Sequence, residues 1–235
     1  YEFVKNGTKV IYNKLLKEEN FYLDVDKFCD KVLGTNADTA VLINPNNPDG
    51  GYLEKEKILK VAEKLKNIEN LIIDESFIHF AYESDDYDLK SSVELTKQYQ
   101  NLIVVKSMSK DFGVAGIRAG YAIMSKERVD TLLRNGYLWN INGITEYFFD
   151  LYSQKEFMNE YNDVRVKYIK ETDHFYRDLK SIRQLRVYPS KANFFLVELP
   201  DGIQSQNFVK HMLIDEGIYF RSCDDKLGLD GSYIR

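Results

Sequence analysis

Three polar clusters, each placed directly after a short apolar run, hold the residues of this 235-residue chain best suited to chemistry. The first is Asn44-Pro45-Asn46-Asn47-Pro48-Asp49-Gly50, behind Thr39–Ile43. Its two prolines and glycine fix the backbone and present amide side chains, although Asn/Pro/Gly clusters also make ordinary turns. The second is Asp74-Glu75, at the end of Leu71–Ile73. A lone charge is expensive to bury at the end of an apolar strand, so either a partner cation is expected or the strand end is exposed. The third is Ser107-Met108-Ser109-Lys110-Asp111-Phe112-Gly113, which continues through Val114-Ala115-Gly116-Ile117 to Arg118. A single lysine after a strand is usually a solvated surface residue. Here two hydroxyls precede Lys110, an arginine stands eight residues after it, and small residues between them allow close backbone approach. The set places an amine, a carboxylate and a guanidinium where strands end.

Two shorter motifs lack the partners their chemistry needs. Leu71–Glu75 reads as a Walker-B strand, but no G-x-x-x-x-G-K-[ST] cradle accompanies it. Asp111-Phe112-Gly113 imitates a kinase DFG without an HRD catalytic loop or a kinase glycine-rich loop.

The elements that must position these clusters follow from apolar patterning. Thr39–Ile43, Leu71–Asp74, Leu102–Lys106 and Ala119–Met124 read as strands buried on both faces, because their apolar residues run on without polar alternation. Amphipathic stretches lie between them. Glu54–Ile68 carries Ile58, Val61, Ala62 and Leu65 at helical spacing, Lys126–Arg134 makes another helix, and Asp24 can cap a helix ending near Gly34. Alternating strands and helices predict a mostly parallel sheet with helices on both faces, whose ligands bind beyond the carboxyl ends of the strands. From Gly143 to about Leu179 there is no Pro and no internal Gly, which predicts one or two long helices. β-prone runs at Leu185–Tyr188 and Asn193–Leu199, a helix over Gln204–Glu216, and short strands near Ile218–Arg221 and Tyr233–Arg235 then predict a partial small α+β domain. The expected division is 1–141 for the large domain, 142–180 for the connecting helices and 181–235 for the small domain. The acidic stretch Glu83–Asp88 reads as a solvated loop.

Composition narrows the class. A net charge of −5 argues against a nucleic-acid-binding domain, and 44% hydrophobic residues argue against intrinsic disorder. Two cysteines, Cys29 and Cys223, without a CxxC or a histidine cluster, support neither a disulfide framework nor a zinc site and suggest the reducing cytoplasm. No apolar run approaches the roughly 20 residues of a membrane span. Tyr1-Glu2-Phe3, without an initiating Met or a signal-peptide pattern, reads as mid-protein sequence.

The order N-P-x-N-P-x-G, D-E-[AS]-[YF], S-x-S-K and then Arg eight residues beyond the Lys resembles the active-site series of the fold-type I class I/II aminotransferases. It is most similar to the branch holding histidinol-phosphate aminotransferase and threonine-phosphate decarboxylase. The resemblance continues through Trp139-Asn140-Ile141-Asn142, Ala192-Asn193-Phe194, Gly217–Arg221 and Tyr233-Ile234-Arg235. It implies pyridoxal 5′-phosphate as cofactor. Lys110 would form the internal aldimine and then move the α-proton. Asp74 would pair with the pyridinium nitrogen and Asn47 would bond the 3′-oxygen. Ser107, Ser109 and Arg118 would hold the cofactor phosphate. Asn193, Arg221 and Arg235 would face the substrate, with Asn142 either joining them or serving as a helix N-cap.

Two departures qualify the transfer. Phe77 stands where many aminotransferases carry Tyr, which removes a hydroxyl from the 3′-oxygen. The family's N-terminal arm and glycine-containing loop, and its terminal strand and helix, are expected outside these residues. The implied function is transamination of a small amino acid or phosphorylated amine, between an amino donor and an oxo-acid or phosphorylated substrate, by a homodimer. The alternatives are decarboxylation of the threonine-phosphate type and a non-catalytic or domain-fused remnant serving assembly. No nucleic-acid or membrane partner is implied.

Overall fold

The computed structural model describes residues 5–136 and 141–235, so Tyr1–Phe3 and the Trp139-Asn140 pair of the resemblance lie outside the described residues. Asp24 opens the first helix. Its carboxylate accepts from the Asp26 and Lys27 amides at 3.0 and 3.1 Å, satisfying donors that a helix start leaves free. Helix α1 (Val25–Gly34) turns Val25, Phe28, Cys29 and Val32 inward. Strand β1 (Thr39–Ile43) follows, then helix α2 (Lys55–Lys64), which buries Ile58, Val61 and Ala62. The periodicity carries α2 on to Ile68, but the helix stops at Leu65. There the Asn101 amide takes the Leu65 and Ile68 carbonyls at 2.9 and 3.1 Å and holds the chain in a turn.

Strands β2 (Asn70–Asp74), β3 (Leu102–Ser107) and β4 (Gly120–Ile123) complete a sheet of order β1-β2-β3-β4. The first three are parallel and β4 is antiparallel to β3. The register pairs Ile43 with Asp74 and Asp74 with Val105. The carboxyl ends of β1, β2 and β3 therefore share one edge, and the polar clusters emerge there. Ala40, Leu42, Leu71, Ile73, Leu102 and Val104 pack with the inward residues of α1 and α2 into one core.

The expectation of strands buried on both faces is corrected. β1, β2 and β3 alternate between buried and less buried positions, and Val41 and Ile43 are 44% and 39% exposed. Apolar content on its own does not report which face a helix covers. α1 and α2 pack on the Ala40/Leu42 side, leaving Val41 and Ile43 outside that core.

Helix α3 (Lys126–Arg134) matches its expected bounds. The Pro-free stretch forms two helices, α4 (Gly143–Tyr152) and the 27-residue α5 (Lys155–Ser181). A second sheet of β5 (Arg186–Val187), β6 (Val197–Glu198) and β7 (Tyr233–Ile234) is antiparallel throughout. Helix α6 (Ser205–Asp215) lays Phe208 and Val209 against it. No strand forms at Ile218–Arg221, a second correction. The Ile218 amide is spent closing α6 on the Met212 carbonyl at 3.0 Å, and pairing begins only at Arg221, which exchanges backbone bonds with Arg235 at 3.1 and 2.9 Å. No helix among the described residues is long and apolar enough to cross a membrane.

Candidate active site

The loop after β1 is rigid because its polar groups are paid in pairs. Asn44, buried, bonds the Leu53 carbonyl and amide at 2.9 and 2.8 Å. Asp49, also buried, accepts from the Gly51 amide at 2.7 Å and from Asn46, and burial raises its carboxyl above the usual range. Gly50 has φ +75°, and a Cβ there would lie 1.9 Å from the Ser190 Oγ. Only glycine lets this loop meet the segment leading into β6.

Asn47 leaves that loop exposed, and its Oδ1 accepts from Arg235 Nη1 at 2.7 Å. The Arg235 guanidinium lies over the Phe194 ring, 4.8 Å from its centroid, and Phe194 meets Phe77 edge-on at 5.0 Å and 90°. An expected cofactor residue, an expected substrate residue and the Phe77 departure thus form one contact series. Arg221 sits beside Arg235 through the backbone pair, with its side chain in an exposed ion pair to Asp225 at 2.7 Å. Asn193 is half-buried and makes no side-chain hydrogen bond among the described residues.

Asp74 is half-buried at the end of β2. Its Oδ1 accepts from the Ser76 amide at 2.8 Å and from the Ser76 hydroxyl, and its Oδ2 has no partner among the described residues. Glu75 is buried and held by the Ser92 amide at 2.7 Å and the Ser91 hydroxyl. No cation among the described residues binds either carboxylate: neutral donors hold Glu75 and the Oδ1 of Asp74, and the nearby cation, Lys106, pairs with Asp111.

Ser107 accepts the Ser109 amide on its Oγ at 3.2 Å, folding the chain back towards Lys110, and the Met108 amide bonds Ala119 O at 3.1 Å. Lys110 is exposed, and its amine has no hydrogen-bond or ion-pair partner among the described residues. Arg118 adopts the left-handed region at φ +59°, uncommon outside glycine, and spends one N–H on Ala115 O at 3.0 Å. Asn142 is used as a helix cap. Its Oδ1 accepts the Thr145 amide at 2.9 Å and its Nδ2 donates to Ile117 O at 3.1 Å. The donor set suits pyridoxal phosphate: an unpartnered amine, a carboxylate oxygen left free, and hydroxyls and a guanidinium with capacity in hand for a dianion.

Several residues of this region escaped the sequence reading. Lys106 and Asp111 form an ion pair whose side chains are only 2% and 0% exposed. Burial lowers the Lys106 ammonium and pushes the Asp111 carboxyl up to about 6. His79 lies 3.7 Å from Asp111 and 2.7 Å from the Tyr161 hydroxyl, and burial takes its imidazole down to about 3. Arg165 of α5 donates to the His79 carbonyl at 3.1 Å. A signal did exist for Lys106, since it continues the inward parity of Leu102 and Val104 along β3.

Comparison with known proteins agrees with this geometry. Residues 3–226 match the family model "Aminotransferase class I and II". The L-serine phosphate decarboxylase of Campylobacter jejuni is 55% identical over 235 residues, 100% of this chain and 60% of its own length. The histidinol-phosphate aminotransferase of Methanococcus aeolicus is 33% identical, covering 97% of this chain and 59% of its own. The solved structure of a decarboxylase from Sulfurospirillum multivorans superposes with a TM-score of 0.95 at 45% identity, over 100% of this chain and 66% of that one. The chain spans about 60% of the length of these curated relatives. A match running almost end to end, laid on a sheet edge built this way, makes the chain a member of the class I and II aminotransferase family, whose cofactor is pyridoxal 5′-phosphate.

Proposed function

We propose that the full-length protein is a pyridoxal-phosphate-dependent decarboxylase of a small phosphorylated amino acid, with L-serine phosphate the first candidate. The observation that carries this reading is the 55% identity to an L-serine phosphate decarboxylase across the whole chain, against 33% to a histidinol-phosphate aminotransferase. The motifs alone put transamination first and decarboxylation second, and the comparison reverses that order.

Decarboxylation breaks the bond from Cα to the carboxylate, leaves the electron pair on the Cα side, releases CO2 and adds a proton at Cα. The bound cofactor supplies the electron sink for that pair. Lys110 would hold the cofactor and, once displaced by the substrate amine, deliver the proton to Cα. Its freedom from other partners suits both tasks. The free Oδ2 of Asp74 would face the ring nitrogen, with Oδ1 fixed by Ser76. Asn47, whose Oδ1 is taken by Arg235, keeps its Nδ2–H groups for the 3′-oxygen. Ser107, Ser109 and Arg118 would bind the cofactor phosphate. Arg235 and Arg221, adjacent through their backbone pair, would supply the positive charge a phosphorylated substrate needs. Releasing Arg221 from the exposed Asp225 pair costs little. Assembly as a homodimer belongs to the same proposal and is checked by sizing.

The test gives the full-length holoenzyme L-serine phosphate, or histidinol phosphate with 2-oxoglutarate. Equal amounts of CO2 and O-phosphoethanolamine from the first, with no glutamate from the second, are expected. Glutamate without CO2 would overturn the reading.

A further inference from the structure

The loop that presents Lys110 has almost no side-chain anchorage of its own, yet positioned chemistry requires the amine to be held. What fixes it lies underneath. Lys106, the last inward-facing residue of β3, points its ammonium at three acceptors: the Asp111 carboxylate, Ser107 O at 3.1 Å and Ser76 O at 3.4 Å. These use all three of its donors. Asp111 directly follows Lys110. Ser76 is the residue whose amide and hydroxyl hold Asp74. A single buried ammonium therefore ties Ser76, two residues beyond Asp74 at the end of β2, to Ser107 and Asp111 on either side of Lys110.

We propose that Lys106 and Asp111 are positioning residues, a buried strut that sets Lys110 and Asp74 in register with one another. The proposal rests on the reading above, in which Lys110 holds the cofactor and Asp74 faces its ring. Stability does not explain such a pair. Desolvating two charges offsets most of their attraction, and replacing a buried ion pair by apolar groups of similar size is often neutral or stabilising. The Asp111 Oδ1 has no hydrogen-bond partner among the described residues, which an interior arranged only for stability would avoid. The surroundings hold the strut in place. His79 lies against Asp111 and meets the Tyr161 hydroxyl, Phe112 stacks on Tyr161 with centroids 4.1 Å apart, and Arg165 fastens the His79 carbonyl to α5. Movement of α5 would reach Lys110 through this contact.

The experiment uses the full-length holoenzyme, its Lys106→Met/Asp111→Leu double variant and, as a milder second probe, Asp111→Asn. Four quantities are read: the lysine trapped by borohydride, the unfolding temperature, the pH midpoint of the cofactor's visible band, and kcat and KM for CO2 release. Trapping on Lys110 in all three proteins is expected, with unfolding temperatures at or near the wild-type value. The band midpoint should move in both variants, and kcat should fall by about a hundredfold in the double variant, the scale of a 1 Å misplacement, while KM stays nearly constant. Trapping on Lys110 with unchanged midpoint and kcat overturns the strut and leaves the functional reading intact. Trapping of a different lysine in the wild type overturns the assignment of Lys110, and the strut with it. If the double variant does not fold, Asp111→Asn decides the matter by the same readings.

Discussion

At the scale of single residues, His79 gives the sharpest electrostatic prediction. Its imidazole titrates near 6.5 when free and is carried down to about 3 by burial, with Lys106 and Arg165 adding to the effect. A depressed pKa favours the neutral form, so this contribution to stability is complete above pH 6.5 and is lost as pH falls towards 3. Asp111 works in the opposite sense. With its carboxyl raised from 3.8 to about 6, its contribution is complete below pH 3.8 and is lost as pH rises through 6. Comparing wild type with His79→Gln isolates the histidine. Between pH 6 and 4, the stability advantage of the wild type should shrink by about 1.4 kcal/mol per pH unit, read from urea unfolding at each pH. A gap that stays constant over that range would contradict the account. Phe77 provides a second residue-scale case. In the proposed site, Phe77→Tyr would place a phenolic donor beside the 3′-oxygen of the cofactor, stabilise the deprotonated form and move the visible band's titration to lower pH. A midpoint at the same or higher pH in the tyrosine variant would show that the hydroxyl does not reach the cofactor.

At the scale of elements, starts and ends were legible where a local hydrogen bond makes them. Asp24 caps α1 as its position implied, and α3 ends at its expected bound, where Asn135 bonds the Thr131 carbonyl at 2.8 Å. The failures are those in which a group outside the expected element decides. α2 stops early because Asn101 takes the Leu65 and Ile68 carbonyls, and Ile218 cannot enter a strand because its amide closes α6. Asn142 was open between substrate contact and cap, and the two now separate experimentally. Asn142→Ala should lower stability by about 1 kcal/mol, whereas Asn142→Ser keeps the cap and should keep most of that stability. If Asn142→Ser folds like the wild type yet loses kcat/KM by an order of magnitude, the residue serves the substrate as well.

At the scale of the whole molecule, the motif order brought Asn47, Asp74, Lys110 and Arg118 into view: Asp74 ends β2, Asn47 and Lys110 stand just beyond β1 and β3, and Arg118 follows eight residues after Lys110. The joints between the two sheets were not legible. Asn47 and Arg235 are 188 residues apart, and nothing local to either reports the bond. The same holds for the Phe77–Phe194 contact and for Gly50 against Ser190. Gly50 tests how tightly the joint is made. Gly50→Ala combines an unfavourable φ with a Cβ inside contact distance of Ser190, so it should destabilise the protein and raise KM for the phosphorylated substrate by moving Arg235 away from Asn47. A variant with wild-type unfolding temperature and KM would show that the joint yields without consequence.

The central claim is that the bond broken at Cα is the one to the carboxylate and that a solvent-exchangeable proton is added there in its place. Proton NMR of the full-length holoenzyme turning over L-serine phosphate in D2O reads both. The account predicts O-phosphoethanolamine with a single deuteron on the carbon bearing nitrogen, while unreacted L-serine phosphate keeps its α-proton. Exchange of that α-proton into solvent without formation of the amine would contradict it.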